Sequence, residues 1–127
     1  MTRLKSGMLV SAALRHAAAE LIDCVLIRRG DADAGAIFLH IDARDGRHKL
    51  VARTLDFDGN YSWRSIMSGA NDSAQNSGDP QNSDDNGWVT AAAVDARLAR
   101  EIEMDPDAFV LEVVDEKARN PFDLAGD

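Results

Sequence analysis

The sequence predicts an α+β domain in which an antiparallel β-meander carries two packed helices, in the order α-β-β-β-β-α-β. Runs of aliphatic and β-branched residues between positions 22 and 55 are separated by corners rich in glycine and aspartate, which is the pattern of short strands joined by turns. Residues 8–21 and 90–103 instead space their apolar side chains three or four positions apart, as one face of a helix requires. With 127 residues, 45% of them hydrophobic, the chain can form a single domain, residues 1–127, around one core.

The first helix is predicted over residues 8–21, with Ser6 as its N-cap. The apolar stripe that defines this helix consists of Val10, Leu14, Ala17 and Leu21. A strand is predicted to follow at residues 22–29. It ends at the corner 30–35, where two glycines and two aspartates favour a turn.

Strands at residues 36–42 and 47–55 complete the predicted meander. The Asp-Gly pair at 45–46 predicts a two-residue hairpin turn between them, because both central positions of a type I′ turn need a positive φ. That turn places Asp42 opposite Lys49, and opposite charges in this position stabilise a strand pair.

The predicted pairing sorts the side chains of the meander onto two faces. A symmetric hairpin over the corner 30–35 would pair the first strand with the second, with Leu26 opposite Leu39. The core face would then carry Ile22, Cys24, Leu26, Ile37, Leu39, Ile41 and Leu50. The reverse face would carry Val25, Ile27, Arg29, Phe38, His40, Val51 and Arg53.

The rest of the chain supplies one more strand on each side of a polar stretch. Alternation of aromatic or apolar with polar residues predicts a fourth strand at 61–67. Residues 68–87 are dominated by Ser, Asn and Asp and predict a flexible loop within the domain, because they cannot bury enough surface to offset the entropy of ordering. The second helix, 90–103, is followed by a fifth strand at 109–114, and the polar tail 115–127 is predicted to fray.

A family resemblance is carried by three segments of the chain. They are Leu14-Arg15-His16, the stretch from Arg28-Arg29-Gly30-Asp31 to Phe38, and the stretch from Val94 to Val110. Together they resemble a family of short alphaproteobacterial proteins known as domain of unknown function 1491, over most of residues 3–115. The resemblance implies no activity, cofactor or partner, because the family has none assigned.

The candidate site predicted from the sequence is a group of arginines with a histidine. The predicted register places Arg29 and Arg53 on one face, with Arg28 at the adjoining corner and His40 beside them. Guanidinium groups close together suit a phosphate or carboxylate ligand. The alternative is that these arginines pair with neighbouring acidic residues such as Asp31, since surface ion pairs are common.

Composition and motifs exclude several functions. No apolar run is long enough to span a membrane, and the net charge of −8 argues against non-specific nucleic-acid binding. The single cysteine, Cys24, fits a reducing cytoplasm, and its place within an apolar strand argues against a nucleophilic role. The three histidines lack the spacing of a metal site, and no cofactor-binding motif is present.

Two functional hypotheses follow from the sequence. The first is a non-enzymatic cytoplasmic binding module that uses the face formed by Arg28, Arg29 and Arg53, or an exposed sheet edge, to bind an anionic small molecule or a protein. Homodimerisation through such an edge belongs to this hypothesis, because unpaired strand edges promote association. The alternative is a small enzyme acting on a phosphorylated or carboxylated metabolite, with the arginines as an anion clamp and His40 as the acid/base.

Overall fold

The computed structural model describes residues 5–33, 35–55, 58, 61–67 and 88–124. Within these residues one five-stranded sheet is packed between helices. The elements are α1 Ser6–Ala19, β1 Asp23–Arg28, β2 Ile37–Asp42, β3 His48–Leu55, β4 Tyr61–Ser65, α2 Ala91–Met104, β5 Phe109–Val114 and the short α3 Pro121–Leu124. The predicted fold class and the order α-β-β-β-β-α-β are confirmed. The loop predicted at 68–87 lies outside the described residues.

The order of strands in the sheet is β1-β5-β2-β3-β4, so β5 lies between β1 and β2. It runs antiparallel to β1 and parallel to β2. The predicted hairpin between the first two strands is therefore wrong, and the antiparallel meander consists of β2, β3 and β4. Since β5 is apolar on both faces, with Val110 and Leu111 both buried, a central position suits it better than an edge.

The corner 30–35 carries the chain past the start of β5 instead of closing a hairpin. The amide of Asp31 donates to the carbonyl of Asp107, at 2.9 Å. A Cβ added to Gly30 or Gly35 would collide with that same carbonyl oxygen. These two glycines are thus needed because two backbones approach closely, which differs from the turn role predicted for them.

The hairpin between β2 and β3 is shifted by one residue from the predicted register. Asp42 lies opposite His48, and Lys49 lies opposite Ile41. The cause is a three-residue loop, closed by a hydrogen bond from the Ala43 amide to the Arg47 carbonyl at 3.0 Å, in place of the predicted two-residue turn. Gly46 has a φ of 91° at the end of this loop, where glycine is favoured.

Two apolar layers hold the sheet and helices together. The layer under α1 contains Leu9, Val10, Ala13, Ala17, Ile22, Ile37, Leu39, Ile41, Val51, Phe109, Leu111, Val113 and Phe122. The layer under α2 contains Phe38, Leu50, Ala52, Val94, Ala108 and Val110. The register shift puts Val51 in the first layer and Leu50 in the second, so β3 is reversed relative to the predicted sorting.

Helix α1 begins at Ser6, two residues before its predicted start. Lys5 occupies the N-cap position and makes no side-chain cap, so the predicted capping role of Ser6 is wrong. The buried Ser6 hydroxyl instead donates to the carbonyl of Gly35, at 2.7 Å. This bond fastens α1 to the corner that crosses β5.

The tail predicted to fray is folded as far as Leu124. The Asp115 carboxylate accepts from the Arg119 guanidinium Nε at 2.9 Å and Nη2 at 3.0 Å, and this guanidinium holds the pKa of Asp115 down at about 2. Asn120 caps α3 by accepting from the Phe122 amide at 2.8 Å. The ring of Phe122 is completely buried, 4.7 Å from that of Trp63.

Candidate functional site

The predicted arginines occupy two distant parts of the sheet. Arg28 is half-buried at the end of β1 and donates through Nη2 to the Pro106 carbonyl, at 2.6 Å. Arg29 follows it and is exposed. Arg53 lies on β3 with its guanidinium carbon 3.6 Å from the centre of the Tyr61 ring. Since β5 and β2 lie between β1 and β3, these two strands are three strand spacings apart, roughly 14 Å in all.

His40 lies on the face of the sheet opposite Arg53. It pairs with Leu50, whose side chain belongs to the layer under α2. Arg53 shares its face with Val51, two residues earlier on β3, in the layer under α1. The structure therefore does not bring His40 and Arg53 together, and anion binding by the predicted residues stays a prediction.

The structure places His40 in a cluster with His48 and Glu112. His40 is buried, and its Nε2 lies 2.9 Å from Nδ1 of His48, so one ring donates a hydrogen to the other. The Nδ1 atom of His40 is 3.9 Å from a Glu112 carboxylate oxygen. Sequence reasoning missed this cluster, because the predicted register put Val51, not Leu50, opposite His40.

Burial is the main influence on His40 and lowers its pKa below 6.5. Glu112 acts in the opposite direction, and His48 lowers the pKa further. The His40 ring is therefore neutral near neutral pH. Among the described residues no group of three or more His, Cys, Asp or Glu side chains is placed to hold a metal ion.

Trp88 packs against two basic side chains near the start of β3. The guanidinium carbon of Arg47 and the ammonium of Lys49 lie 4.7 and 4.4 Å from the centre of its ring. Its neighbour Val89 exchanges two backbone hydrogen bonds with His48, at 2.9 and 2.7 Å. Burial, followed by repulsion from Arg47, lowers the pKa of Lys49. These contacts fasten residues 88–89 to the sheet.

Exposed apolar side chains also lie along β1, the strand at one edge of the sheet. Val25 is 46% exposed and Ile27 is 58% exposed. Strand β1 pairs with β5 on its inner side, and no other described strand pairs with its outer side. We call residues 23–27, with their outward backbone groups, the β1 edge.

The hydrogen bonds of β5 show which backbone groups of the β1 edge point outward. The amide of Phe109 donates to the carbonyl of Ala36, just before β2, and the amide of Asp115 donates to the carbonyl of Asp42, at the end of β2. Backbone groups alternate sides along a strand, so the residues of β5 that face β1 are Val110, Glu112 and Val114. Their partners on β1 are Arg28, Val25 and Asp23.

The N–H and C=O groups of Cys24 and Leu26 therefore point away from the sheet. A register irregularity between Leu26 and Arg28 ends this regular stretch. Burial, assisted by the charge of Asp23, raises the pKa of the Cys24 thiol to about 11, so this thiol is not a nucleophile at neutral pH. The chemistry open to the β1 edge is main-chain pairing with apolar contact.

No described helix is long and apolar enough to cross a membrane. The model of a family described as a protein of unknown function, DUF1491, matches residues 4–123 of the chain. No curated protein matches the chain.

Three solved structures have a fold similar to that of this chain. The chain is similar to a DUF1491 family protein from Caulobacter crescentus CB15, whose crystal structure gives a TM-score of 0.71 at 24% identity over 94% of both chains. The NMR structure of a DUF1491 family protein from the same organism gives 0.72 at 24% identity, over 95% of this chain and 94% of that one. Protein Atu0922 from A. tumefaciens gives 0.65 at 26% identity, over 89% of this chain and 86% of that one.

Proposed function

Because the chain belongs to the DUF1491 family, a family of unknown function, we propose from its own geometry that it is a non-enzymatic binding module. Its ligand is an extended segment of polypeptide that adds a strand to the β1 edge. A chain with one cysteine fits the reducing cytoplasm, which is where this binding is proposed to occur.

The proposal rests on the exposure of Val25 and Ile27 beside backbone groups that no described strand pairs. Natural edge strands are guarded against association by charged side chains, prolines or bulges. The opposite edge, β4, follows this rule more closely, because two of its three exposed residues, Ser62 and Arg64, are polar and the third is Tyr61. The β1 edge has its irregularity only after Leu26, so the stretch before it remains open to a partner strand.

Strand addition explains how such an edge binds. Main-chain hydrogen bonds to Cys24 and Leu26 supply affinity, and apolar contacts with Val25 and Ile27 supply selectivity. Burying most of one such aliphatic side chain contributes roughly 1 kcal/mol. The exposed Arg29, at the end of the edge, is positioned for a carboxylate of the incoming segment.

The alternative of a small enzyme has less support. It requires the arginines to clamp an anion beside His40 as the acid/base, but Arg53 lies on the other face of the sheet. The buried His40 ring is already hydrogen-bonded to His48. A binding module needs no such convergence.

Selection of displayed peptides tests the proposal. A library of short random peptides, each long enough to span β1, is selected against the native chain and against Val25→Lys. Ser62→Lys is the matched control, because it puts one lysine on the other edge strand. We expect alternating β-branched peptides to be enriched on the native chain and on Ser62→Lys, and lost on Val25→Lys. No enrichment, or equal enrichment on all three, would refute the proposal.

A further inference from the structure

The charges of the β1 edge are complementary to themselves in one orientation. The strand begins with the exposed Asp23 and ends at Arg28, followed by the exposed Arg29. A second copy of β1 placed antiparallel brings the acidic start of each strand to the basic end of the other. A parallel copy would bring like charges together.

We infer that the strand added to the β1 edge is β1 of a second copy of this chain, antiparallel about a two-fold axis that passes between the two Val25 residues. The inference rests on the proposed function, because it requires the β1 edge to accept a strand. It goes further by naming the partner and the register.

The outward backbone groups select this register. With Val25 opposite Val25, Cys24 of each copy lies opposite Leu26 of the other, and both residues point outward, so four main-chain hydrogen bonds form. Centring the pair on Leu26 would need outward groups from Arg28, which faces β5. Centring it on Cys24 would need the Ile22 amide, which already donates to the Ala17 carbonyl at the end of α1, at 2.8 Å.

The side chains agree with the same register. The two Val25 side chains meet at the axis in a non-hydrogen-bonded pair, with Cα atoms about 4.5 Å apart. Asp23 lies opposite Ile27 of the other copy, next to the basic end of that strand at Arg28 and Arg29. An edge of this length buries less than the roughly 1,200 Å² of a standard interface, so the dimer dissociates on dilution.

Two measurements on the full chain test the inference. The first is the mass in solution by light scattering between about 10 μM and about 1 mM, a range in which a weak dimer with a dissociation constant of that order is detected. We expect the mass to rise toward twice 13.8 kDa for the native chain and for Ser62→Lys. Val25→Lys should stay monomeric, because it places two lysines across the axis. A native chain that is monomeric throughout, or a Val25→Lys chain that dimerises equally, overturns the inference.

The second measurement is disulfide formation across the axis. In a Cys24→Ser background, Val25→Cys puts two thiols at a Cα separation that allows a disulfide. We expect oxidation to link Val25→Cys into a dimer at least tenfold faster than Ser62→Cys, the matched cysteine on β4. Equal rates overturn the inference. A monomeric chain that still enriches peptides through Val25 refutes the homodimer and leaves the proposed function standing, whereas loss of both refutes both.

Discussion

Replacing Phe122 by alanine is the sharpest test of the fold, because the sequence predicted this residue to lie in a frayed tail. Its ring is 0% exposed and lies 4.7 Å from the ring of Trp63. Truncating a fully buried phenylalanine costs about 3–5 kcal/mol, through lost transfer free energy and the cavity that remains. Since a domain is stable by only about 5–15 kcal/mol, the variant should lose a large part of its free energy of unfolding.

Urea denaturation followed by tryptophan fluorescence and far-ultraviolet circular dichroism measures this loss. Met104→Ala is the control, because Met104 is 81% exposed and its truncation should change the free energy of unfolding by less than about 0.5 kcal/mol. A double-mutant cycle with Trp63→Ala should give a coupling of about 0.5–1.5 kcal/mol for the ring pair. If Phe122→Ala lowered the free energy of unfolding by less than about 1 kcal/mol, the tail would make no core contact and the packing described for α3 would be wrong.

Three further outcomes follow from single residues. The pKa of His40 in the folded chain lies below 6.5, so the folded state binds fewer protons than the unfolded chain. The urea concentration at the unfolding midpoint should therefore fall as the pH drops below about 6.5. A His40→Leu variant whose midpoint depends on pH in the same way as that of the native chain would contradict this. With a pKa of about 11, the Cys24 thiol should react with a disulfide reagent at pH 8 far more slowly than in urea, and equal rates would disprove its burial. Gly30→Ala should lower the free energy of unfolding by about 1–3 kcal/mol, because the added methyl group overpacks against backbone. Gly46→Ala should lower it by about 1 kcal/mol, through its positive φ alone. Thermal unfolding that finds Gly46→Ala the more destabilised variant would refute the close approach of the two backbones.

Local patterns predicted the elements well because each depends on neighbours along the chain. The apolar spacing in α2, with Thr90 accepting from the Ala93 amide as its N-cap, is an example. The end of the chain could also have been predicted, since Asn120 before Pro121 is a helix start signal. The register of β2 and β3 could not, because Arg44-Asp45-Gly46 permits a two-residue or a three-residue loop, and the tempting pair of Asp42 with Lys49 favoured the wrong one.

The position of β5 depends on contacts between residues far apart in sequence, yet it left one local signal. Val110 and Leu111 lie on opposite faces of this strand, and both are buried. A strand that is apolar on both sides needs a neighbour on each side and a layer over each face. Such a strand is a poor candidate for the edge of a sheet, and its insertion is what separates β1 from β2.

Two of the errors in the sequence prediction concern the sheet, and both bear on function. A shift of one residue between β2 and β3 turns Arg53 away from His40, because neighbouring residues of a strand face opposite sides. The insertion of β5 changes the partner of β1, but β1 still pairs with a described strand on only one side, and Val25 and Ile27 are exposed beside the outward groups of Cys24 and Leu26. The candidate site therefore follows from sheet order more than from any motif. A relative with the same elements but a charged residue at the position of Val25 should retain the fold and lose the association, which light scattering would measure.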